Sequence, residues 1–380
     1  MHERLMIIGS GQAGVTLARE IRKLDRQREI VLLTADDGHF YSKPNLSNAF
    51  ALNKTPSQLV ITPVDKLREQ LGIDIRPHVE VHHLDTQAHV VDTSAGPLDY
   101  GQLVLAVGAR PIRLPLAGKA ADEILSVNTL DDYALFRTRL ADKRSVALIG
   151  GGLVGCEFAN DLRSAGLDVH LFDIENQLLT GLLPTESAAF LRRRLEAAGV
   201  ACHLGCRIIG IEHEEGGYRL HDALGRSYHA GLVLSAVGLR PNLTLASAAG
   251  LQTGRGILTD RLLQTSNPDI YALGDCAEIA GLVLPYILPI MHSARALAQT
   301  LCGKETPVSF PAMPVAIKLP SCPGVVCPPP GGSGQWQENL DGEGVRALFE
   351  TADATPSGFA LLGAATREQR ELAGRMPARL

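Results

Sequence analysis

A four-residue apolar run, Leu5 to Ile8, stops abruptly at Gly9-Ser10-Gly11-Gln12-Ala13-Gly14, and helix-forming residues follow to about Asp25. The pattern predicts a strand, a tight turn and a helix. A second apolar run, Glu29 to Thr34, ends at Ala35-Asp36-Asp37, and Gly38 to Ser47 reads as a loop. A helix is predicted near Asp65 to Leu71. Alternating apolar and polar positions from Val79 to Tyr100 predict an antiparallel meander, with turns at Thr86-Gln87 and Ser94 to Pro97. Strand Gln102 to Ala106 then runs into Val107-Gly108-Ala109-Arg110-Pro111, where Gly108 and the prolines at 111 and 115 mark a linker.

The same pattern then returns. Ser145 to Ile149 leads into Gly150-Gly151-Gly152-Leu153-Val154-Gly155, a helix from Leu153 to Ala165, and a strand Asp168 to Phe172 ending at Asp173. A helix near Pro184 to Ala198, a meander from Ala201 to His229, and a strand Leu232 to Ala236 leading to Gly238 complete the repeat. Asn267 to Ala277 reads as a strand that brings the chain back to the first unit and places Asp275 at its carboxyl end, with a helix from Met291 to Leu301 behind it. The remainder holds a proline-rich loop, Pro328 to Gly332, and the single Trp336. The expected fold is α/β. Two Rossmann-like dinucleotide-binding domains, one discontinuous (1-115 and 245-305) and one inserted (116-244), precede a small C-terminal α+β domain (306-380).

Each Gly-x-Gly-x-x-Gly has a physical reason. The first glycine allows the turn, the second lets the backbone approach a pyrophosphate, the third lets the helix pack closely on the strand, and the helix N-terminus faces the phosphates. An acid about 20 residues further on takes the ribose hydroxyls. Asp36 stands there in the first unit, with Asp37 as the alternative, and Asp173 in the second. An acid at 173 favours NADH, because it repels the 2′-phosphate of NADPH.

Composition narrows the picture by exclusion. The 380 residues are 45% hydrophobic and 20% charged, as in ordinary globular proteins, and a net charge of -5 argues against a general nucleic-acid binder. The near-apolar stretch Gly281 to Met291 is broken by prolines and far short of the roughly 20 residues of a spanning helix, so no membrane partner is expected. Leu5 to Ile8 is too short for a signal peptide, and seven scattered cysteines fit a reducing compartment; a cytoplasmic location follows. No metal site is expected. Cys202 and Cys206 have no partner Cys-x-x-Cys, Cys322 and Cys327 are spaced by coincidence as buried thiols, and no His-Glu-x-x-His occurs among the twelve histidines.

With these residues in view, the chain resembles the pyridine-nucleotide-disulfide oxidoreductase fold, and within it the flavoprotein reductases of small iron proteins. The similarity is strongest to the NADH:rubredoxin reductases, through Thr34 to Gly38, Tyr41-Ser-Lys-Pro44, Gly155-Cys-Glu-Phe-Ala-Asn-Asp161, Ala236 to Pro241 and Gly274 to Glu278. It implies FAD at the first glycine loop, NADH at the second, and rubredoxin on a separate chain as acceptor. A [2Fe-2S] ferredoxin or a flavorubredoxin is the alternative acceptor, and an NADH-sensing flavoprotein is the alternative of another class. Disulfide reductases of this fold carry a cysteine at about residues 40 to 50; here that span has none, so dithiol chemistry is not expected.

Site residues carry over position by position. For FAD the resemblance implies Gly9, Ser10, Gly11, Gln12, Ala13, Gly14, Asp36, Lys43, Val79 through its backbone, Gly108, and Asp275 at the ribityl chain. For NAD it implies Gly150, Gly152, Gly155, Asp173, Gly238 and Glu157, which is expected in the first helical turn near the nicotinamide. Helix 291 to 301 would aim its positive end at the flavin, and Lys318 would contact the flavin or the partner. Some related reductases carry a lysine just after the Pro-x-Leu-Ser segment; here Asn48 stands there.

Overall fold

Long apolar runs without alternation form strands buried on both faces, and such strands assemble as parallel sheets covered by helices. The computed structural model, which describes residues 4–380, contains two of these sheets. In the first, the spatial order is Ile270–Ala272, Gln102–Leu105, Leu5–Ile8, Ile30–Leu33, Asp74–Arg76, all parallel. The chain therefore does come back, after more than half its length, to add a strand beside Gln102–Leu105. Helices Gln12–Leu24 and Ile287–Leu301 pack against one another and share one apolar core with this sheet.

The second sheet runs Val200–His203, Asp168–Phe172, Ser145–Ile149, Leu232–Ser235, again all parallel. Two antiparallel crossing strands, Ala109–Pro111 and Leu239–Pro241, pair with each other and link the two units. Each unit carries a three-stranded antiparallel meander, Val81–Asp85 to Gly96–Asp99 in the first and Ile208–Glu214 to Ser227–Ala230 in the second.

Three boundaries differ from the sequence reading. Val200–His203 belongs to the parallel sheet as its edge, so the second meander starts only at Ile208; the half-buried Ala201 to His203 look like meander alternation because an edge strand is covered incompletely. The loop Gly38 to Ser47 contains a strand, Phe40–Tyr41, paired with Val60–Thr62, and a 3-10 helix Lys43–Asn48. The helix expected from Met291 begins at Ile287 and takes Pro289 into its first turn. Proline is tolerated there because the first four helical N–H groups have no intrahelical acceptor.

The C-terminal region is a five-stranded antiparallel sheet, Val315–Ile317, Gly324–Cys327, Pro356–Gly363, Gly344–Thr351, Gly334–Leu340, followed by a 3-10 turn and the short helix Gln369–Ala373. Its inner face has no independent core. Ile317, Leu319, Val326 and Val345 join a cluster with Val146, Leu148 and Phe158 of the second unit and with Leu46 and Ala49 of the first.

A polar contact fixes the same junction. Helix Thr185–Ala197 follows Pro184, which offers no side-chain cap. Glu338 of the C-terminal sheet supplies it: its carboxylate accepts from the Glu186 N–H at 3.1 Å, the Ser187 N–H at 2.7 Å and the Ser187 hydroxyl at 2.7 Å. Loss of an N-cap acceptor costs about 1 to 2 kcal/mol. We therefore expect Glu338→Ala to lower the unfolding free energy by that amount in equilibrium urea denaturation, and Glu338→Gln, which keeps one acceptor, to lose less. Equal stabilities would show that water caps this helix as well.

Candidate functional site

Both glycine loops divide their labour in the same way. Gly9 has φ +116°, and a Cβ there would lie 2.3 Å from the Ala106 carbonyl oxygen; a Cβ on Gly14 would lie 1.9 Å from the Gly9 oxygen. Gly150 and Gly155 repeat this, with φ +115° at the former and 2.5 Å and 1.8 Å to the oxygens of Ala236 and Gly150. The middle glycines differ: around Gly11 and Gly152 no atom stands within 4 Å of a built Cβ. Packing therefore requires glycine at the first and third positions only, and the middle one keeps open the space in front of a helix end. Both helices are capped by that glycine, with no side-chain cap and no acid in the first turn. Their leading N–H groups are free to meet an anion.

The first loop is surrounded by the expected residues. Asp36 accepts from the Ser10 hydroxyl at 3.0 Å, the Thr34 hydroxyl at 2.5 Å and the Gly38 N–H at 3.0 Å, all through Oδ1. Asp37 instead caps the His39 N–H. Gln12 donates to the Thr16 hydroxyl at 3.2 Å. A Cβ on Gly274 would stand 2.8 Å from the Ala13 Cβ, so the turn that carries Asp275 sits on the start of the first helix. Burial pushes the Asp275 carboxyl up, and the nearby Lys43 ammonium pulls it back. Lys43 in turn is pushed down by burial, against the pull of Asp275, Asp36 and Asp132. Val79 is buried and its N–H donates to the Thr34 carbonyl at 2.9 Å, so a backbone contact to a ligand falls to its carbonyl. Gly108 and Gly238 have φ +64° and +103° and stand immediately before the crossing strands.

At the second loop, Asp173 accepts from the Gly151 N–H and, at 2.8 Å, from the Glu175 N–H. Glu157 is not in the first helical turn. The helix is Leu153–Ser164, and Glu157 lies in its second turn, 2% exposed, too deep to serve merely as a surface charge complementing the helix dipole. It accepts from Ser47, from Asn48 Nδ2 at 3.2 Å and from the Lys318 N–H at 3.2 Å, and Lys318 Nζ lies 3.2 Å from its Oε2. Lys318 also donates to the Pro44 carbonyl. The lysine that position 48 lacks thus comes from the C-terminal sheet, and Asn48 itself bonds to the same glutamate.

Glu157 does not act alone. Asn160 and Asp161, three and four positions on, share its face and are equally buried. Asn160 accepts from Ser321, while Asp161 accepts from the N–H groups of Phe50 at 2.8 Å and Ala51 at 3.2 Å. The sequence analysis gave no role to Ser47 or Ser321, nor to Asn160 and Asp161, although the last two stand in a segment that carries the resemblance. A signal was present, since three polar residues at these spacings interrupt what should be the apolar stripe of a buried helix.

None of the seven cysteines is paired. Cys206, Cys322 and Cys327 are buried, and Cys202 is half-buried in strand Val200–His203. Burial pushes the Cys202 and Cys322 thiols up to about 11 and Cys276 up to about 12, the opposite of what a reactive thiolate requires. Among the described residues, no helix is long and apolar enough to cross a membrane, and no group of three or more His, Cys, Asp or Glu is placed to hold a metal ion.

Comparison with known proteins shows the family. The family described as pyridine nucleotide-disulphide oxidoreductase matches residues 3–300, and the family described as rubredoxin binding C-terminal domain matches residues 307–376. The chain is 46% identical over 376 residues, 98% of each chain, to a rubredoxin-NAD(+) reductase of Alcanivorax borkumensis. It is 38% identical to a nitric oxide reductase FlRd-NAD(+) reductase of Aeromonas salmonicida, over 94% of this chain and 92% of that one. A ferredoxin reductase from Rhodopseudomonas palustris superposes with a TM-score of 0.90 at 26% identity, over 99% of this chain and 96% of that one.

The buried ridge makes a pH-dependent prediction. Burial raises the Asp161 carboxyl, against the lowering effect of the Phe50 and Ala51 N–H groups. The folded protein therefore takes up this proton before the unfolded chain does, and the site's contribution to stability is largest below the unfolded value and lost as pH rises through the folded one. Measured against Asp161→Asn in parallel urea titrations, the wild type is expected to gain relative stability as pH falls from 7 towards about 4, near the ordinary aspartate value. A relative loss over that range would show that the two N–H bonds outweigh burial.

Proposed function

We propose, from the premise that the chain belongs to the pyridine nucleotide-disulphide oxidoreductase family, that it passes electrons from NADH through FAD to rubredoxin. The observation that carries the acceptor is the match of residues 307–376 to a rubredoxin-binding domain, folded here as one sheet against both nucleotide units. The open space at Gly11 and Gly152 fits the two dinucleotides, because a side chain there would occupy the position of a pyrophosphate and meets nothing else. FAD, when bound, takes a hydride from nicotinamide and releases electrons singly, which reconciles a two-electron donor with a one-electron iron acceptor.

The residues have the following parts in this reading. Gly9 to Gly14 with Ser10, Gln12 and Ala13 form the FAD phosphate cradle. Asp36 holds the adenosine ribose through Oδ2, because its bonds to Ser10, Thr34 and Gly38 all use Oδ1. The Val79 carbonyl meets adenine, Asp275 the ribityl hydroxyls, Lys43 and Gly108 the remaining reach of the cofactor. On the other side Gly150, Gly152 and Gly155 cradle the NADH pyrophosphate, Asp173 takes the ribose hydroxyls and Gly238 leaves room for the chain of the nucleotide. Glu157 lies on the nicotinamide side, held by Ser47, Asn48 and Lys318, so its carboxylate is fixed before any ligand arrives. Lys318 is a positioning residue here, since its ammonium is engaged by Glu157 and Pro44. No thiol or general acid is required.

Two variants test the assignments. Gly11→Val is expected to fold normally yet purify without flavin, because the new side chain fills only the phosphate space; a fully yellow protein would remove Gly11 from the cradle. Asp173→Ala is expected to reduce the preference for NADH over NADPH about tenfold or more in kcat/KM, worth about 1.4 kcal/mol. The function itself is tested by anaerobic NADH-driven reduction of purified rubredoxin and [2Fe-2S] ferredoxin side by side. A several-hundredfold preference for rubredoxin, about 3 to 4 kcal/mol, is expected. A ferredoxin preference, or rapid flavin bleaching without transfer to either, would overturn it.

A further inference from the structure

The two crossing strands that link the nucleotide units each carry an arginine at their centre. In the register of Ala109–Pro111 with Leu239–Pro241, Arg110 stands directly opposite Arg240. Opposed side chains of an antiparallel pair share one face, about 4.5 to 5.5 Å apart at Cβ, and like charges there weaken the pair. Arg113 follows just past the first of these strands, and all three arginines are exposed. Together they line one open pocket of about 530 Å³, with Asn242, Thr244 and Ser247 as its other polar residues.

Nothing in the chain answers these charges. No Asp or Glu lines the pocket. Among the described residues, every arginine ion pair is made by another arginine. The walls also include none of the residues assigned above to FAD or NADH. Gly108 precedes the first strand, but side chains alternate along it: Ala109 is buried, and Arg110 on the other face is exposed.

A concave site lined by one sign of charge concentrates the potential and draws counter-ions into it. Arginine forks fit phosphate oxygens two at a time. Three of them around one pocket call for two or more negative charges close together, which linked phosphates supply and a single carboxylate does not. At about 530 Å³ the pocket also exceeds the roughly 300 Å³ at which sites for organic ligands begin, and Ile112 and Leu243 offer it apolar wall. We propose that this pocket binds a polyphosphate chain, as carried by a nucleoside diphosphate or by inorganic pyrophosphate, held by Arg110, Arg113 and Arg240. Arg110 lies on the chain's way out of the first unit and Arg240 on its way back from the second, so the bound anion bridges both links.

The test is calorimetric titration of the FAD-loaded protein at saturating NAD+, which keeps both glycine loops occupied. ADP and pyrophosphate are the probes, with AMP and adenosine as controls of lower charge. Saturable binding of ADP or pyrophosphate is expected, at least tenfold tighter than AMP, with none of adenosine. Tighter binding of ADP than of pyrophosphate would support the proposal with a nucleotide as the source of the phosphates, and the reverse would support it with the inorganic ion. Arg113→Gln and Arg240→Gln should each weaken the probe at least tenfold, with NADH oxidation unchanged. Arg240→Glu sets an acid opposite Arg110, so it should abolish binding and raise the midpoint of urea unfolding, which loss of a merely structural arginine does not do. Absence of saturable binding, AMP as tight as ADP, binding lost when NAD+ is added, affinity indifferent to the Arg113 and Arg240 changes, or a lowered urea midpoint in Arg240→Glu would each overturn the proposal and leave three solvated cations.

Discussion

The assembly depends on one face of helix Leu153–Ser164, where Glu157, Asn160 and Asp161 stand a turn apart and point away from their own sheet. A buried carboxylate is stable only when every oxygen finds a donor. These side chains find theirs in the first unit, at Ser47 and Asn48 of the 3-10 segment and at Phe50 and Ala51 just after it, and at Lys318 and Ser321 in the connection between the first two strands of the C-terminal sheet. Three distant parts of the chain are thereby tied at a single place. That place is the helix whose N-terminus forms the second glycine loop, so nucleotide site and acceptor domain share one rigid support. Apolar packing surrounds this polar ridge, with residues of all three parts of the chain in one cluster.

The two glycine loops show how much a local sequence can specify by itself. Gly9 and Gly14 are demanded by contacts to backbone atoms a few ångströms away, and Gly150 and Gly155 by the same contacts in the second unit. Such constraints are short in sequence and strong in energy, which is why the strands, turns, acids and duplicated plan were legible from the residues. The positions of Asp36 and Asp173 were legible for the same reason, each standing just past the end of the next strand.

Other parts were hidden because their causes are tertiary. The Glu157 to Lys318 bond spans 161 residues, and no spacing rule connects the two positions. Asn48 looked like a gap in a known pattern until the C-terminal strand was seen to fill it. The edge strand Val200–His203 reads as part of a meander because incomplete cover imitates alternation, and the helix expected from Met291 starts at Ile287 with Pro289 in its first turn. In each case what decides the structure is a neighbour or an end effect that the local pattern does not carry.

The Glu338 cap has a consequence for how the molecule comes into being. Helix Thr185–Ala197 emerges during synthesis with its leading N–H groups bare, and the acceptor that completes it lies 152 residues downstream of Glu186. At about 5 to 20 residues per second the wait is on the order of ten seconds. Throughout that interval the second unit is a nascent domain with an unfinished helix end and an uncovered apolar flank, exposed to chaperones and to neighbouring chains on the same polysome. The last strands to be made close both at once.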